Sequence, residues 1–458
     1  MNMSKKIIVI GGGPGGYAAA LKAAQLGAQV ALAEAGSLGG TCLNIGCVPT
    51  KTLLHIGEFY RRAAQNTVQG VKITGAKLDW PSAQNRKNDV VYRLAGGVGA
   101  LLRHNGVAVY NEKAALLPGR KVRIGDKTHE ADAVILASGS VSAELDFPGS
   151  DLPGVIGSTA ALSLENVPKS MVVVGGGVIG VEFAALYGAL GTKITVIEAA
   201  DAILPPVDGE IAEFMRAALE ADGVCVYTGA RLIGAKPSPN GLSISFESGG
   251  ETRSVNAEKL LVAVGRRANT ASLGLEEIGV KLTGGAADTD EHFRTNIPGL
   301  YAVGDCNGKS FLAHAAMAQG EATAEHIMGL TPRMNWKIIP ACVYSSPEIA
   351  FAGMTEEQVK NAGIDYAAGC FSLSGNARAV IEGAPGMVKV IADKRLGEIL
   401  GVHMIGPRVT EIIAAAALCM SMEGTVEDIV NTIHAHPTVS EALREAAMSV
   451  FGKPIHGT

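Results

Sequence analysis

Residues 7–36 read "IIVIGGGPGGYAAALKAAQLGAQVALAEAG". An apolar run enters Gly11, Gly13 and Gly16, an alanine-rich helical stretch follows, and a second apolar run ends in Glu34. The physics of each position is separable. The first glycine permits a tight turn, the second lets the backbone approach a pyrophosphate, and the third lets the helix lie close to the strand. The helix N-terminus adds N–H groups and a partial positive charge. A carboxylate about 20 residues past the loop can accept hydrogen bonds from a ribose diol. One glycine loop alone is weak evidence, but here strand, loop, helix and acid agree in order.

The pattern recurs. Residues 171–200, "MVVVGGGVIGVEFAALYGALGTKITVIEAA", repeat it with Gly175, Gly177, Gly180 and a terminal Glu198. Two dinucleotide sites are therefore expected. The stretch "AADAILPP" after Glu198 holds no arginine to accept a 2′-phosphate, which a carboxylate repels, so the second site should take NAD rather than NADP. Apolar strands at 131–140 and 258–270 end in glycine turns, one beyond each unit, and 299–308 runs into Gly304-Asp305. Asp305 at a strand's end reads either as a contact to a ligand's hydroxyls or as a turn aspartate.

At 458 residues the chain has room for about three domains. Its 58 glycines are nearly double the usual share of ~7%, so many tight turns and close backbone approaches are expected. A net charge of -5 argues against a nucleic-acid partner, which would demand a basic face. The start lacks the longer apolar region and cleavage site of a secretory signal. The apolar segment 412–420 falls well short of the ~20 residues that span a bilayer. A cytoplasmic chain with no membrane partner is expected. A close cysteine pair there leans toward metal or redox use rather than a disulfide scaffold.

That pair stands in "GGTCLNIGCVPTK", residues 39–51. Five residues along a straight helix give ~7.5 Å of rise and roughly 140° of rotation, too much for Cys42 and Cys47 to bridge. Gly46 and Pro49 permit a distorted first turn, and a helix N-terminus favours thiolate. A zinc site with His55 as third ligand lacks a second Cys/His pair at finger spacing. A static bridge leaves the neighbouring nucleotide sites unused, whereas a redox pair uses every feature. Cys225, Cys306, Cys342, Cys370 and Cys419 are expected to be buried small apolar residues. Near the end, "TIHAHPTVSEALREAAMSV" (432–450) offers an acid–base candidate in His436, with His434 less constrained. Glu441 reads two ways. It completes a capping box with Thr438, or it accepts the second imidazole N–H of His436 and holds its tautomer.

Together these motifs, with "LAHAA" and the ending "FGKPIH", resemble the FAD-dependent pyridine nucleotide–disulfide oxidoreductases over essentially the whole chain. Within that family they are most similar to the members that oxidise dihydrolipoyl groups with NAD. The resemblance implies an α/β fold with two Rossmann-like domains and a C-terminal α/β dimerisation domain. The FAD domain would comprise residues 1–148 and 268–334, the NAD domain 149–267, and the interface domain 335–458.

The resemblance also implies FAD on the first loop, with Ser138, Gly139, Asp305 and Lys51 among its contacts. NAD would lie on the second, with Glu182 and Gly265. Cys47 would face the flavin and Cys42 the substrate, Lys51 would pair with Glu182, and His436 would enter the partner's site of a homodimer through a cis bond to Pro437. The lipoyl group is expected on another chain, in a 2-oxo acid dehydrogenase or glycine cleavage complex. The rival within the family is an NAD(P)H-dependent reductase of another small disulfide or of a metal ion. The chain departs from the family pattern at Ser138, where threonine is usual, at Cys306, and at Gln319, a frequent glutamate.

Overall fold

The two glycine loops set two sheets of one design. The computed structural model describes residues 4–65 and 70–457; residues 1–3 and Thr458, at the outer ends of the first and last expected domains, lie outside the described residues. In the first sheet five parallel strands stand in the order Leu300–Ala302, Ala133–Leu136, Lys6–Ile10, Gln29–Ala33, Ala108–Tyr110. In the second the order is Cys225–Tyr227, Lys193–Ile197, Ser170–Val174, Lys259–Val262, Val155–Gly157, again parallel. The glycine-loop strand is central in each. Its continuous burial, four residues of five in both Lys6–Ile10 and Ser170–Val174, is what helices on both faces of a parallel sheet produce.

The loops repeat atom for atom. Gly11 and Gly175 have φ of 104° and 105°, and a Cβ on either would meet the carbonyl oxygen of Ala137 or Ala263 at 2.2 and 2.4 Å. A Cβ on Gly16 or Gly180 would lie 1.8 Å from the carbonyl oxygen of Gly11 or Gly175. These glycines are steric requirements of strand and helix packing.

The third sheet is antiparallel, in the order Ala341–Val343, Glu348–Gly353, Ile399–Gly406, Met387–Asp393, Tyr366–Ser372. Its apolar face packs on the helices Val409–Ser421 and Glu441–Phe451 through Val388, Val402, Ile413, Ala446 and their neighbours. Lys389 ties it to the second unit. That ammonium, 2% exposed, meets Asp208 at 3.0 Å, Glu210 at 3.3 Å and Glu356 at 2.5 Å. Asp208 also caps the helix Gly209–Ala221. Among the described residues no helix is long and apolar enough to cross a membrane.

The single cysteines correct the expectation of uniform burial. Cys306 is buried, but Cys342 and Cys419 are intermediate, and Cys225 and Cys370 are exposed. Cys225 opens an edge strand of the second sheet, and Cys370 lies on an edge strand of the third at a position where alternation turns it outward.

Candidate active site

A break in the chain builds the site. The distortion expected at Gly46 is a full break between two helices, Gly40–Ile45 and Cys47–Ala64. A Cβ at Gly46 would sit 2.8 Å from the carbonyl oxygen of Thr41, so only glycine lets the halves approach this closely. The break brings the Cys42 and Cys47 thiols into hydrogen-bond contact; both are free. Asn44 Nδ2 donates to the carbonyls of Leu38 and Gly40 and fixes the turn before the first helix. Gly39 N–H donates to Gly12 O at 2.8 Å, and a Cβ at Gly40 would meet Gly13 Cα at 2.7 Å. The helix that carries Cys42 therefore starts directly on the first dinucleotide loop.

Cys47 opens its helix and Lys51 lies one turn further on. The hydrogen bond from Cys42 and the Lys51 charge together outweigh burial and the nearby Glu182 carboxylate, and lower the Cys47 thiol to about 7. The same hydrogen bond and burial raise Cys42 well above the ordinary thiol range. Cys47 is thus the more acidic sulfur of the pair. Lys51 Nζ donates to both oxygens of Glu182, at 2.9 and 2.8 Å, and Glu182 is buried in the helix Val178–Ala189 of the second unit. The redox helix is thus clamped to the second dinucleotide unit by a charge pair. An open cavity of about 360 Å³ runs along the same helix, lined by Val48, Ile56 and Val90 with Lys51 and Arg86 among them.

Both loops suit a dinucleotide. The helices Pro14–Gln25 and Val178–Ala189 start on Gly13 and Gly177 with no side-chain cap and no acid in the first turn, so their first N–H groups and dipole are available to an anion. A Cβ on Gly177 would project into open space, and one on Gly13 would come no closer than 3.9 Å to any neighbour, so the pyrophosphate side of each loop is clear. Glu34 accepts from Gly12 N–H at 2.6 Å and Gly36 N–H at 2.7 Å; Glu198 accepts from Gly176 and from Ala200, the latter at 2.7 Å. Each carboxylate oxygen keeps a lone pair for a ribose hydroxyl.

Asp305 follows the strand Leu300–Ala302 and accepts from Ser140 Oγ, which Arg266 supports through Nε at 2.7 Å. Ser138 Oγ donates to the Asn269 carbonyl at 2.6 Å, and Gly139 and Gly265 take left-handed φ of 70° and 114° with open space where a Cβ would point. Gln319, in place of the frequent glutamate, accepts from Gly304 N–H and Asn307 Nδ2 and braces the Asp305 turn. The Cys306 thiol donates to the Val303 carbonyl and is pushed up to about 11 by burial.

His436 is paired within its own segment. Its peptide bond to Pro437 is cis, and Nδ1 is 2.9 Å from Glu441 Oε1. The ring is 69% exposed and its ion pair is with Glu441; neither is among the groups that act on the two thiols. Glu441 Oε2 accepts the Thr438 N–H at 2.8 Å. The helix itself begins at Glu441 with Ser440 as its cap, so half of the anticipated capping box forms, and the carboxylate serves both readings at once. His434 Nδ1 is bonded to the Thr432 carbonyl two residues back.

Sequence reasoning missed Tyr344, Ser140 and Arg266. Tyr344 donates its N–H to Glu182 Oε1 at 3.0 Å, and Lys51 Nζ lies 4.8 Å from its ring centre. It stands in a stretch that reads as a boundary, and nothing local marks it.

The profile described as "Pyridine nucleotide-disulphide oxidoreductase" matches residues 5–320, and the one described as "Pyridine nucleotide-disulphide oxidoreductase, dimerisation domain" matches 339–447. The chain is 42% identical over 457 residues to "Dihydrolipoyl dehydrogenase" of Bacillus subtilis, covering 98% of this chain and 99% of that protein. It is 40% identical to "Dihydrolipoyl dehydrogenase" of Geobacillus stearothermophilus, over 98% and 97% of the two chains. The crystal structure of LpdA from Mycobacterium tuberculosis superposes with a TM-score of 0.89 at 28% identity, over 97% of this chain and 99% of that one.

Proposed function

The chain belongs to the pyridine nucleotide-disulphide oxidoreductases, and on that premise we propose that it oxidises protein-bound dihydrolipoamide to lipoamide, with NAD as acceptor. The observation that carries this reading is the cysteine pair whose first helix starts on the first dinucleotide loop and whose second is clamped through Lys51–Glu182 to the second unit.

The residues divide the work. Gly11, Gly13, Gly16, Glu34, Ser138, Gly139 and Asp305 hold FAD, with Lys51 beside it; Gly175, Gly177, Gly180, Glu198 and Gly265 hold NAD, with Glu182 behind the pair. When bound, FAD supplies the two-electron link between the thiol pair and nicotinamide. A substrate thiol loses its proton to His436 and its thiolate attacks Cys42 of the oxidised pair; the Cys42–Cys47 bond breaks and Cys47 leaves as thiolate. The second substrate thiol then attacks the mixed disulfide while its proton passes by way of His436 to the departing Cys42, releasing the oxidised lipoyl ring and leaving one proton on Cys42 and one on His436. Two electrons and two protons leave the substrate, and both electrons reside on the cysteine pair. The low Cys47 and high Cys42 thiols suit this order, since the sulfur that must leave is the better leaving group.

The reading extends to a cytoplasmic homodimer in which His436 and Glu441 act on the partner's cysteines, with the lipoyl group on a carrier of a 2-oxo acid dehydrogenase or glycine cleavage complex. Its domains are 1–148 with 268–334 for FAD, 149–267 for NAD, and 335–458 for the partner. The return of Leu300–Ala302 to the first sheet and the exposed His436 ring support this division. Steady-state turnover of dihydrolipoamide with NAD, and NADP as control, tests it. The Cys42→Ser protein should stay yellow and FAD-loaded yet lose lipoamide turnover. Retained turnover would remove the relay.

A further inference from the structure

Three segments distant in sequence meet at Tyr344. It follows the strand Ala341–Val343 at the start of the antiparallel sheet; Lys51 comes from the cysteine helix and Glu182 from the second unit. Its backbone N–H reaches Glu182 Oε1 at 3.0 Å, and the Lys51 ammonium lies over its ring, 4.8 Å from the centre, while bonded to both Glu182 oxygens. We propose that Tyr344 is a positioning residue of the redox centre, holding the Lys51 ammonium on its ring and Glu182 on its N–H so that the positive charge stays beside the Cys47 sulfur.

A lysine has four rotatable side-chain bonds, and the Lys51 side chain is 30% exposed, so a carboxylate alone leaves it room to move. An aromatic face on its open side restricts that freedom and attracts the ammonium through the ring quadrupole. Burial, then the neighbouring Cys342 and the Glu348 and Glu182 carboxylates, push the phenol up to about 12, so the ring stays neutral at working pH. The groups bearing on Cys47 are Cys42 from the preceding helix, Lys51 from its own, Glu182 from Val178–Ala189 and Arg266 from the strand Arg266–Ala268. Of these only Lys51 is both flexible and held by an aromatic ring. The phenol oxygen plays no part in the contact, which separates this role from that of a catalytic hydroxyl.

The inference rests on Cys47 being the sulfur against the flavin, and the test separates the two. In the FAD-loaded protein reduced by two electrons, a thiolate against the flavin gives a long-wavelength charge-transfer absorption, and its midpoint on a pH titration reports Cys47. Tyr344→Leu should raise that midpoint by about half a pH unit, the size a cation–ring contact at a partly exposed site permits. Tyr344→Phe should titrate like the parent. In a Lys51→Met background the leucine change should add no further shift. Tyr344→Met replaces the leucine variant if that one does not fold. An unmoved midpoint in Tyr344→Leu, or an equal rise without Lys51, overturns the proposal. Absence of the band in the parent protein instead overturns the placement of Cys47, and this inference with it.

Discussion

Glu441 divides its two oxygens between His436 Nδ1 and the Thr438 N–H, so one carboxylate sets both an imidazole tautomer and the entry to a helix. Burial pushes this carboxyl up, but the Thr438 N–H and His436 outweigh it and hold it below the ordinary carboxylate range. Its contribution to stability is therefore complete above the unfolded-state value of ~4.3 and is lost as pH falls through the lower folded value. Glutamine at this position has one acceptor for two donors. Glu441→Gln should lower kcat on the order of 100-fold and stability by about 1 kcal/mol, checked by steady-state kinetics and urea unfolding. Loss of stability with kcat intact would leave the carboxylate with the helix start alone. At this scale the sequence exposed both candidate roles of Glu441 and could not choose, because one side chain has two acceptors. Tyr344 was invisible because its partners lie at 51 and 182, and no local pattern encodes such a meeting.

The two short helices around Gly46 show how an element carries chemistry that neither half has alone. That a straight helix could not join Cys42 to Cys47 was legible from rise and rotation, and Gly46 was the readable sign of a break. What spacing could not reveal is that the start of the first half meets the glycine loop, Gly39 at Gly12 and Gly40 at Gly13, since that approach depends on the tertiary fold. The added methyl of Gly46→Ala must push against the Thr41 carbonyl and part the two sulfurs. The variant should keep its FAD but form the Cys42–Cys47 bond more slowly, measured by thiol titration after mild oxidation. Parent-like closure would show that the glycine is a helix end and nothing more. The glycine loops were the most legible elements of all, because strand, turn, helix and acid are contiguous and each constrains the next.

At the scale of the whole molecule, the two parallel sheets of matching order follow the expectation from the sequence, while the ionic knot at Lys389 does not, since its carboxylates come from 208, 210 and 356. The proposed action of His436 and Glu441 on the partner's thiols leads to a test by mixing. Co-expressed Cys42→Ser and His436→Gln chains should regain about a quarter of parental turnover, because half of randomly formed dimers are hybrids with one intact site of two. No recovery in verified hybrids would mean that each chain completes its own site. The route of the chain through the sheets also bears on its birth at the ribosome. Leu300–Ala302 completes a sheet whose first strand is Lys6–Ile10, whereas every strand of the second sheet lies between 155 and 262. The interior sheet can thus close during translation while the sheet that began first still waits for its last strand, and nascent helpers would meet the amino-terminal half in that unfinished form.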